Sequence, residues 1–224
     1  MSRQAPRLDR AVAAFRAGDP VLVHDFDDRE GETDIVYPAD AVTPRDVARM
    51  RNDAGGLVCV AVAGHVADAV DLPFMEDAIS HPVAGDHELA YDDRSSFSLP
   101  VNHRDTFTGI TDDDRARTIT ELSSMADAVD AGVDYGPAEF ADEFRAPGHV
   151  HVLRGAADGL ADRVGHTELG LALADEADRP PAAVVCEMLD DETGGALSPA
   201  DARTYADRHD VPYVEGEQLV DALR

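Results

Sequence analysis

The sequence predicts an α/β fold: a single three-layer αβα domain with helices on both faces of a mixed, twisted sheet. Three observations carry this. Apolar runs of strand length alternate with segments of helical period along the chain. Several of these runs follow one another with no helix between them, which calls for antiparallel as well as parallel pairs. Length and composition agree: 224 residues suit one large domain, apolar residues make up 44%, and no repeat or low-complexity linker divides the chain. Residues 1–224 are therefore read as one unit.

Residues 9–17 put Ala11, Val12, Ala14 and Phe15 on one helical face, and Gly18 stops the segment. Strands follow at 21–24 and 35–37, with the stretch DFDDREGETD between them. Thr43 caps a helix that has Pro44 at its first position, runs to about residue 53 and ends at Gly55 and Gly56. LVCVAV (57–62) is a buried strand, and a short helix covers 65–71. Residues 76–93 have no clear period and several turn formers, as expected of a surface excursion or lid. Residues 96–103 alternate as a strand, and Pro100 marks an edge or a bulge. A helix opens at 111–114 and continues through 126; residues 134–144 are a linker with a short helix. Then come a strand at 149–154, a helix at 165–177 and a buried strand at 182–189. Ser198 and Pro199 start a helix to about 209, and VPYVEG is a last strand before a final helix.

The charge is extreme. The chain has 46 acidic and 19 basic residues, a net charge of −27, and every basic residue is arginine. A chain without lysine does no Schiff-base chemistry and has no lysine phosphate clamp. Such a negative surface argues against a nucleic-acid partner. The acids are spread along the whole chain, as in a halophilic protein whose surface charge is screened and solvated in high salt. No run of 18 apolar residues is present, so no membrane span is expected. MSRQAPRLDRAVAAF lacks the apolar core of a signal peptide, so the expected location is cytoplasmic. Cys59 and Cys186 lie in apolar runs and read as buried free thiols.

Most of the acids are then solvation, and chemistry has to be sought where polar residues meet strand ends. Residues 25–34 pack Asp25, Asp27, Asp28, Glu30, Glu32 and Asp34 around one cation, Arg29. Acids held this close repel one another unless a cation joins them, and hard divalent ions take oxygen ligands. In FTGITDDDR (107–115), the Thr108 hydroxyl and free amides could hold an anion. Asp112, Asp113 and Asp114 would oppose one, and a plain helix cap is the competing reading. Arg163, Gly165, His166 and Thr167 stand at a loop-to-helix junction suited to a phosphate. His166 is either a metal ligand through neutral imidazole or a bland capping residue, and His149 is equally open. Glu187 closes the apolar run AAVVCEML, where partial burial would raise its pKa toward that of a general acid or base. A strand-end glutamate that simply reaches solvent is the alternative. HExxH, EF-hand, Walker A and GxSxG patterns are absent.

Taken in order, DDREGETD, DAGGLVCVA, SSFSLPVNHRDTFTGITDDDRARTI, FRAPGHVHVLR, RVGHTEL and VVCEMLDDETG resemble the 3,4-dihydroxy-2-butanone 4-phosphate synthase family, with wording closest to archaeal members. The resemblance runs from about residue 8 to the C-terminus, except for 76–93, where nothing is carried over. It implies that family's fold, similar also to the YrdC fold, and conversion of D-ribulose 5-phosphate to L-3,4-dihydroxy-2-butanone 4-phosphate plus formate. It implies Mg²⁺ or Mn²⁺, two per active site, no organic cofactor, and a homodimer. Glu30 and His166 correspond to metal ligands, and Arg29 and Asp34 to substrate contacts. Arg163, Gly165 and Thr167, with Thr108, correspond to contacts at the phosphate end, and Val164, His166 and Cys59 to further substrate contacts. His149 and Glu187 correspond to residues essential to catalysis, Glu187 also touching substrate. Glu32 and Asp25 are acid/base or ordering groups, and Cys59 lies near the site. Gly31 and Thr33 replace the Asn and Gly of the bacterial first motif, so a different loop backbone is expected. No GTP cyclohydrolase II half follows, so a stand-alone synthase is expected. The competing reading is a nucleotide- or RNA-related binding protein on a YrdC-like fold, which would require a basic groove.

Overall fold

A computed structural model describes residues 5–26, 29–84, 89, 92 and 94–223. The strands are β1 (Val21–His24), β2 (Thr33–Pro38), β3 (Cys59–Val62), β4 (Phe97–His103), β5 (Phe144–Arg154), β6 (Ala182–Glu187) and β7 (Tyr213–Glu215). They form one open sheet in the order β4-β5-β3-β6-β2-β1-β7. The β1–β7 and β3–β5 pairs are parallel and the other neighbours antiparallel, so the sheet is mixed as the sequence predicts.

The helices are α1 (Ala5–Ala17), α2 (Pro44–Arg49), α3 (Gly64–Ala69), α4 (Met75–Ala78), α5 (Asp112–Asp130), α6 (Pro137–Glu143), α7 (His166–Glu176), α8 (Pro199–His209) and α9 (Gly216–Leu223). Side chains alternate across each strand, so one sequence feeds two cores. Leu22, Ile35, Tyr37, Val60 and Val184 pack under α2, α3, α5 and α8. Val23, Val36, Cys59, Ala61 and Val185 pack under α1, α7 and α9. These are the two outer layers of the expected three. Cys59 and Cys186 are buried and free.

Local signals set the helix starts. Thr43 and Asp46 form a reciprocal capping box ahead of Pro44. Thr111 caps α5 by accepting from the Asp114 amide, and Ser198 caps α8 by accepting from Asp201. Pro100 lies on the edge strand β4, beside a register shift between Phe97 and Pro100. Among the described residues, no helix is long and apolar enough to cross a membrane.

Among the boundaries that differ from the sequence reading, three strand ends do so for a long-range reason. The strand expected at 149–154 begins at Phe144, because Phe144 and Arg145 pair with His103 and Asn102. The strand expected at 57–62 begins at Cys59, since the Leu57 amide turns away to the Glu187 carboxylate. The strand expected at 182–189 ends at Glu187; Met188 and Leu189 make only isolated bridges. Residues 85–88, 90, 91 and 93 of the expected lid, and Asp27 and Asp28 of the acidic stretch, lie outside the described residues, and α4 occupies the start of the expected lid.

Candidate active site

A cleft of about 200 Å³ opens at the end of the sheet where β2 and β3 begin, β6 ends and α7 starts. Register explains the convergence. Asp34 pairs with Glu187 across β2–β6, and Cys59 pairs with Val185 across β3–β6. All three of Asp34, Cys59 and Glu187 line the cleft, with Glu30 and Glu32 from the preceding loop. His166 and Thr167 enter from the first turn of α7, and Arg29 and Arg163 complete the polar wall. Sequence reasoning missed Ser95, Ser96, Phe97, Leu153 and Val185, which supply the remaining lining.

Several of the polar groups are held in place. Arg29 donates through Nη1 to Asp25 Oδ2 at 2.8 Å and lies 3.1 Å from Glu30 Oε1. Its Nη2 donates to Asp92 Oδ2 at 2.6 Å, and Arg163 Nε donates to the same oxygen at 2.7 Å. Asp92 thus joins the two arginines. Glu187 Oε2 accepts the Leu57 amide at 2.7 Å, and a Cβ on Gly56 would collide with that carboxylate. A Cβ on Gly165 would lie 2.8 Å from Arg29 Nη2, so glycine there lets the guanidinium lie against the start of α7. Glu168, fully buried behind Arg163, accepts the Ala156 amide at 3.0 Å and lies 3.8 Å from Arg163 Nε. Gly31 turns the loop with φ +66°, a left-handed conformation that glycine adopts without strain.

The acids interact strongly. Burial pushes Asp34 up to about 8 against the pull of His166, and repulsion from Glu187, Glu32 and Glu30 adds to the rise. Burial also raises Glu32, with Glu30 and Glu187 adding repulsion. Burial disfavours a charged His166, yet Asp34, Glu30 and Asp25 outweigh it and raise the imidazole to about 9. Glu30 is held below the usual range: its burial is overcome by His166 and Arg29. Burial, then Glu187 and Asp34, keep Cys59 a thiol.

This arrangement fits a divalent cation. One ligand atom each from Asp25, Glu30 and His166 lie within 4.8 Å of one another. His166 Nδ1 is 3.4 Å from Glu30 Oε2, and its Nε2 is 3.6 Å from Asp34 Oδ1. Both His166 Nε2 and Asp34 Oδ1 are buried with no hydrogen-bond partner among the described residues. Hard carboxylates plus one imidazole suit Mg²⁺ or Mn²⁺.

Other sequence expectations fall elsewhere. Asp25 does not line the cleft but is buried beneath Arg29, still grouped with Glu30 and His166. Val164 and Gly165 contribute no side chain to the lining. Thr108 does not reach Arg163's wall, and its supposedly free amides are taken. Asp114 Oδ2 accepts from Thr108 N at 3.1 Å, Thr108 Oγ1 at 3.3 Å and Gly109 N at 2.8 Å. Within the single chain, the turn at 107–115 is thus closed by Asp114. His149 is exposed outside the cleft and shares Asn102 with the Thr108 carbonyl.

Carboxylates and an imidazole grouped for a divalent cation, beside two arginines and a helix N-terminus suited to an anion, define an α/β enzyme for a phosphorylated small molecule. Known proteins agree and narrow the class. A sequence model of 3,4-dihydroxy-2-butanone 4-phosphate synthase matches residues 9–222. The Archaeoglobus fulgidus protein of that name is 48% identical over 228 residues, 97% of this chain and 94% of its own. The Methanosarcina mazei one is 47% identical over 226 residues, 96% of this chain and 90% of its own. A crystal structure of such a synthase in complex with two magnesium ions has a TM-score of 0.79 and 29% identity, over 95% of this chain and 94% of its own. The chain belongs to the 3,4-dihydroxy-2-butanone 4-phosphate synthase family, as the sequence motifs imply. It is a carbon–carbon lyase of riboflavin biosynthesis, converting D-ribulose 5-phosphate to L-3,4-dihydroxy-2-butanone 4-phosphate and formate. The competing nucleotide- or RNA-binding reading finds no support in these relatives.

Proposed function

We propose that the cleft formed by the 25–34 loop, β6 and the start of α7 performs this reaction with Glu30 and His166 as its metal ligands. The carrying observation is the buried His166 between Glu30 and Asp34, its Nε2 without a hydrogen-bond partner among the described residues. The ion is Mg²⁺ or Mn²⁺, two per site, with no organic cofactor. When bound, it supplies Lewis-acid stabilisation of vicinal oxygens on the sugar phosphate.

The protein's own groups do the rest. Arg163, Thr167 and the α7 N-terminus, with the Val164–Gly165 backbone, take the phosphate end, and Arg29 and Asp34 touch the sugar. Glu187, fixed by the Leu57 amide, removes and returns protons at carbon. Glu32, raised by burial and its acidic neighbours, keeps a proton closer to neutrality and acts as acid when the C1 hydroxyl leaves. Cys59, a protonated thiol, lines the wall. Asp25 orders Arg29 and through it the loop.

His149 and Thr108 join this chemistry in a homodimer, from the surface of one copy beside the cleft of the other. Phe107 and Ile110 flank Thr108 and are 92% and 52% exposed, which suits an apolar contact face. The remaining surface, at net −27 without lysine, suits a cytoplasmic halophilic enzyme with a small-molecule substrate and neither nucleic-acid nor membrane partner. The test is formate release from ribulose 5-phosphate in high salt. Activity should vanish with EDTA and return with Mg²⁺; full turnover in excess chelator would remove the metal from the account.

A further inference from the structure

His149 is exposed, yet both its backbone and its ring are tied to one buried side chain. Asn102, 3% exposed, accepts the His149 amide through Oδ1 at 2.8 Å. Its Nδ2 lies 3.2 Å from His149 Nδ1 and donates to the Thr108 carbonyl at 3.5 Å. Oδ1 is itself 3.3 Å from the same ring nitrogen. The amide therefore grips Nδ1, while Nε2 has no partner among the described residues.

The backbone is shaped around this contact. Val101 pairs with Val150, but the next residue, Asn102, pairs with Arg145, so residues 146–149 bulge from the β4–β5 ladder. Bulges recur beside active sites because they re-aim a side chain. Here the bulge leaves the His149 amide without a ladder partner, and Asn102 supplies one. Two glycines clear the space. A Cβ on Gly109, at φ +85°, would collide with the Asn102 amide, and one on Gly148 with the Val101 carbonyl and the Asn102 backbone. A histidine that merely faced solvent would need none of this.

We propose that Asn102 is a positioning residue for His149: it holds the ring by Nδ1 and so presents Nε2 to the substrate. This rests on the reading of His149 as a catalytic residue. Asn102 acts only through the imidazole; it lies away from the metal ligands and the phosphate wall.

The test compares Asn102→Ala, Asn102→Ser and Asn102→Asp with His149→Asn and the Asn102→Ala/His149→Asn double variant, each checked for its melting temperature. A mis-set catalytic group costs about 100-fold, so Asn102→Ala should lower kcat by about that factor. KM for ribulose 5-phosphate should stay within about threefold, since no substrate contact is lost. Asn102→Asp, whose carboxylate still accepts from the His149 amide and Nδ1–H, should recover most of kcat. In the His149→Asn background, Asn102→Ala should add nothing. If the alanine variant does not fold, serine replaces it with the same expectation. Unchanged kcat in Asn102→Ala or Asn102→Ser while His149→Asn is inactive overturns the proposal and leaves the His149 reading intact. An equal loss from Asn102→Ala with and without His149 also overturns it, by showing a general structural role. Full activity in His149→Asn overturns the reading beneath it as well.

Discussion

The loop at 25–34 and the turn at 107–115 are both crowded with carboxylates, and they treat them in opposite ways. In the turn, Asp114 is only half-buried and accepts backbone amides of residues 107–109, which lower its pKa below the ordinary range, the Gly109 amide most. Asp112 is lowered by its hydrogen bond to Arg51 and by Arg115. Asp112, Asp114 and Arg115 each have a local partner, and Asp113 is exposed to water. In the loop, Asp34 is 2% exposed, its Oδ1 unpartnered among the described residues and its pKa pushed up to about 8. The difference teaches that acidic density says little in this chain. What separates a site from a cap is burial of like charges without enough partners, an arrangement that a cation would relieve.

That contrast can be broken by substitution. The largest effect is expected at Glu187→Gln, which should fold normally and lose about 10²–10⁴-fold in kcat, the range of a lost general acid or base. Retained activity would move proton transfer elsewhere. Arg163→Ala should raise KM for ribulose 5-phosphate about 10–100-fold, the worth of a charged hydrogen bond to the phosphate. An unchanged KM would take Arg163 off the phosphate end.

Stability against pH separates the regions more finely. His166 moves from 6.5 to about 9 in the fold, so its contribution is complete below 6.5 and lost as pH rises through about 9. Asp34 moves from 3.8 to about 8, so the extra proton it holds in the fold stabilises at low pH and is gone above about 8. Both slopes have the same sign. The metal-free protein should therefore melt at progressively lower temperature from pH 6.5 to about 9, and Asp34→Asn should flatten that slope. An equally steep slope in the variant would contradict the assignment. The smallest effect is expected in the turn. Asp112→Asn should lower Tm by up to about 4 °C, as for one exposed ion pair, and leave kcat and KM unchanged. A large kinetic effect there would erase the distinction.

Local chemistry made much of this readable in sequence. Thr43, Thr111 and Ser198 cap helices because their side chains answer amides three residues away. Pro100 marks an edge because it cannot donate to a second neighbour. The ordered motifs contain Arg29, Glu30, His166 and Glu187, which the fold brings to one cleft. What escaped was set by distant pairing. Asp92 joins Arg29 to Arg163 from a segment without period, and one aspartate among 46 acids gives no signal. Asn102 is a polar residue in an alternating strand, and only the β4–β5 bulge gives it His149 as a partner. Thr108 looked available until Asp114, six residues on, folded back over its amide.

The most direct test is a calorimetric Mg²⁺ titration of the chelator-treated protein near neutral pH, run in buffers of different ionisation heat. Metal ligands bind deprotonated, and His166 and Asp34 hold protons there in the metal-free fold, so binding should release protons. Binding and release should both be lost in Glu30→Gln and His166→Asn and retained in Asp112→Asn. Equal Mg²⁺ binding by Glu30→Gln, His166→Asn and the unsubstituted protein would contradict the claim that the buried acids of the 25–34 loop and His166 form the metal site.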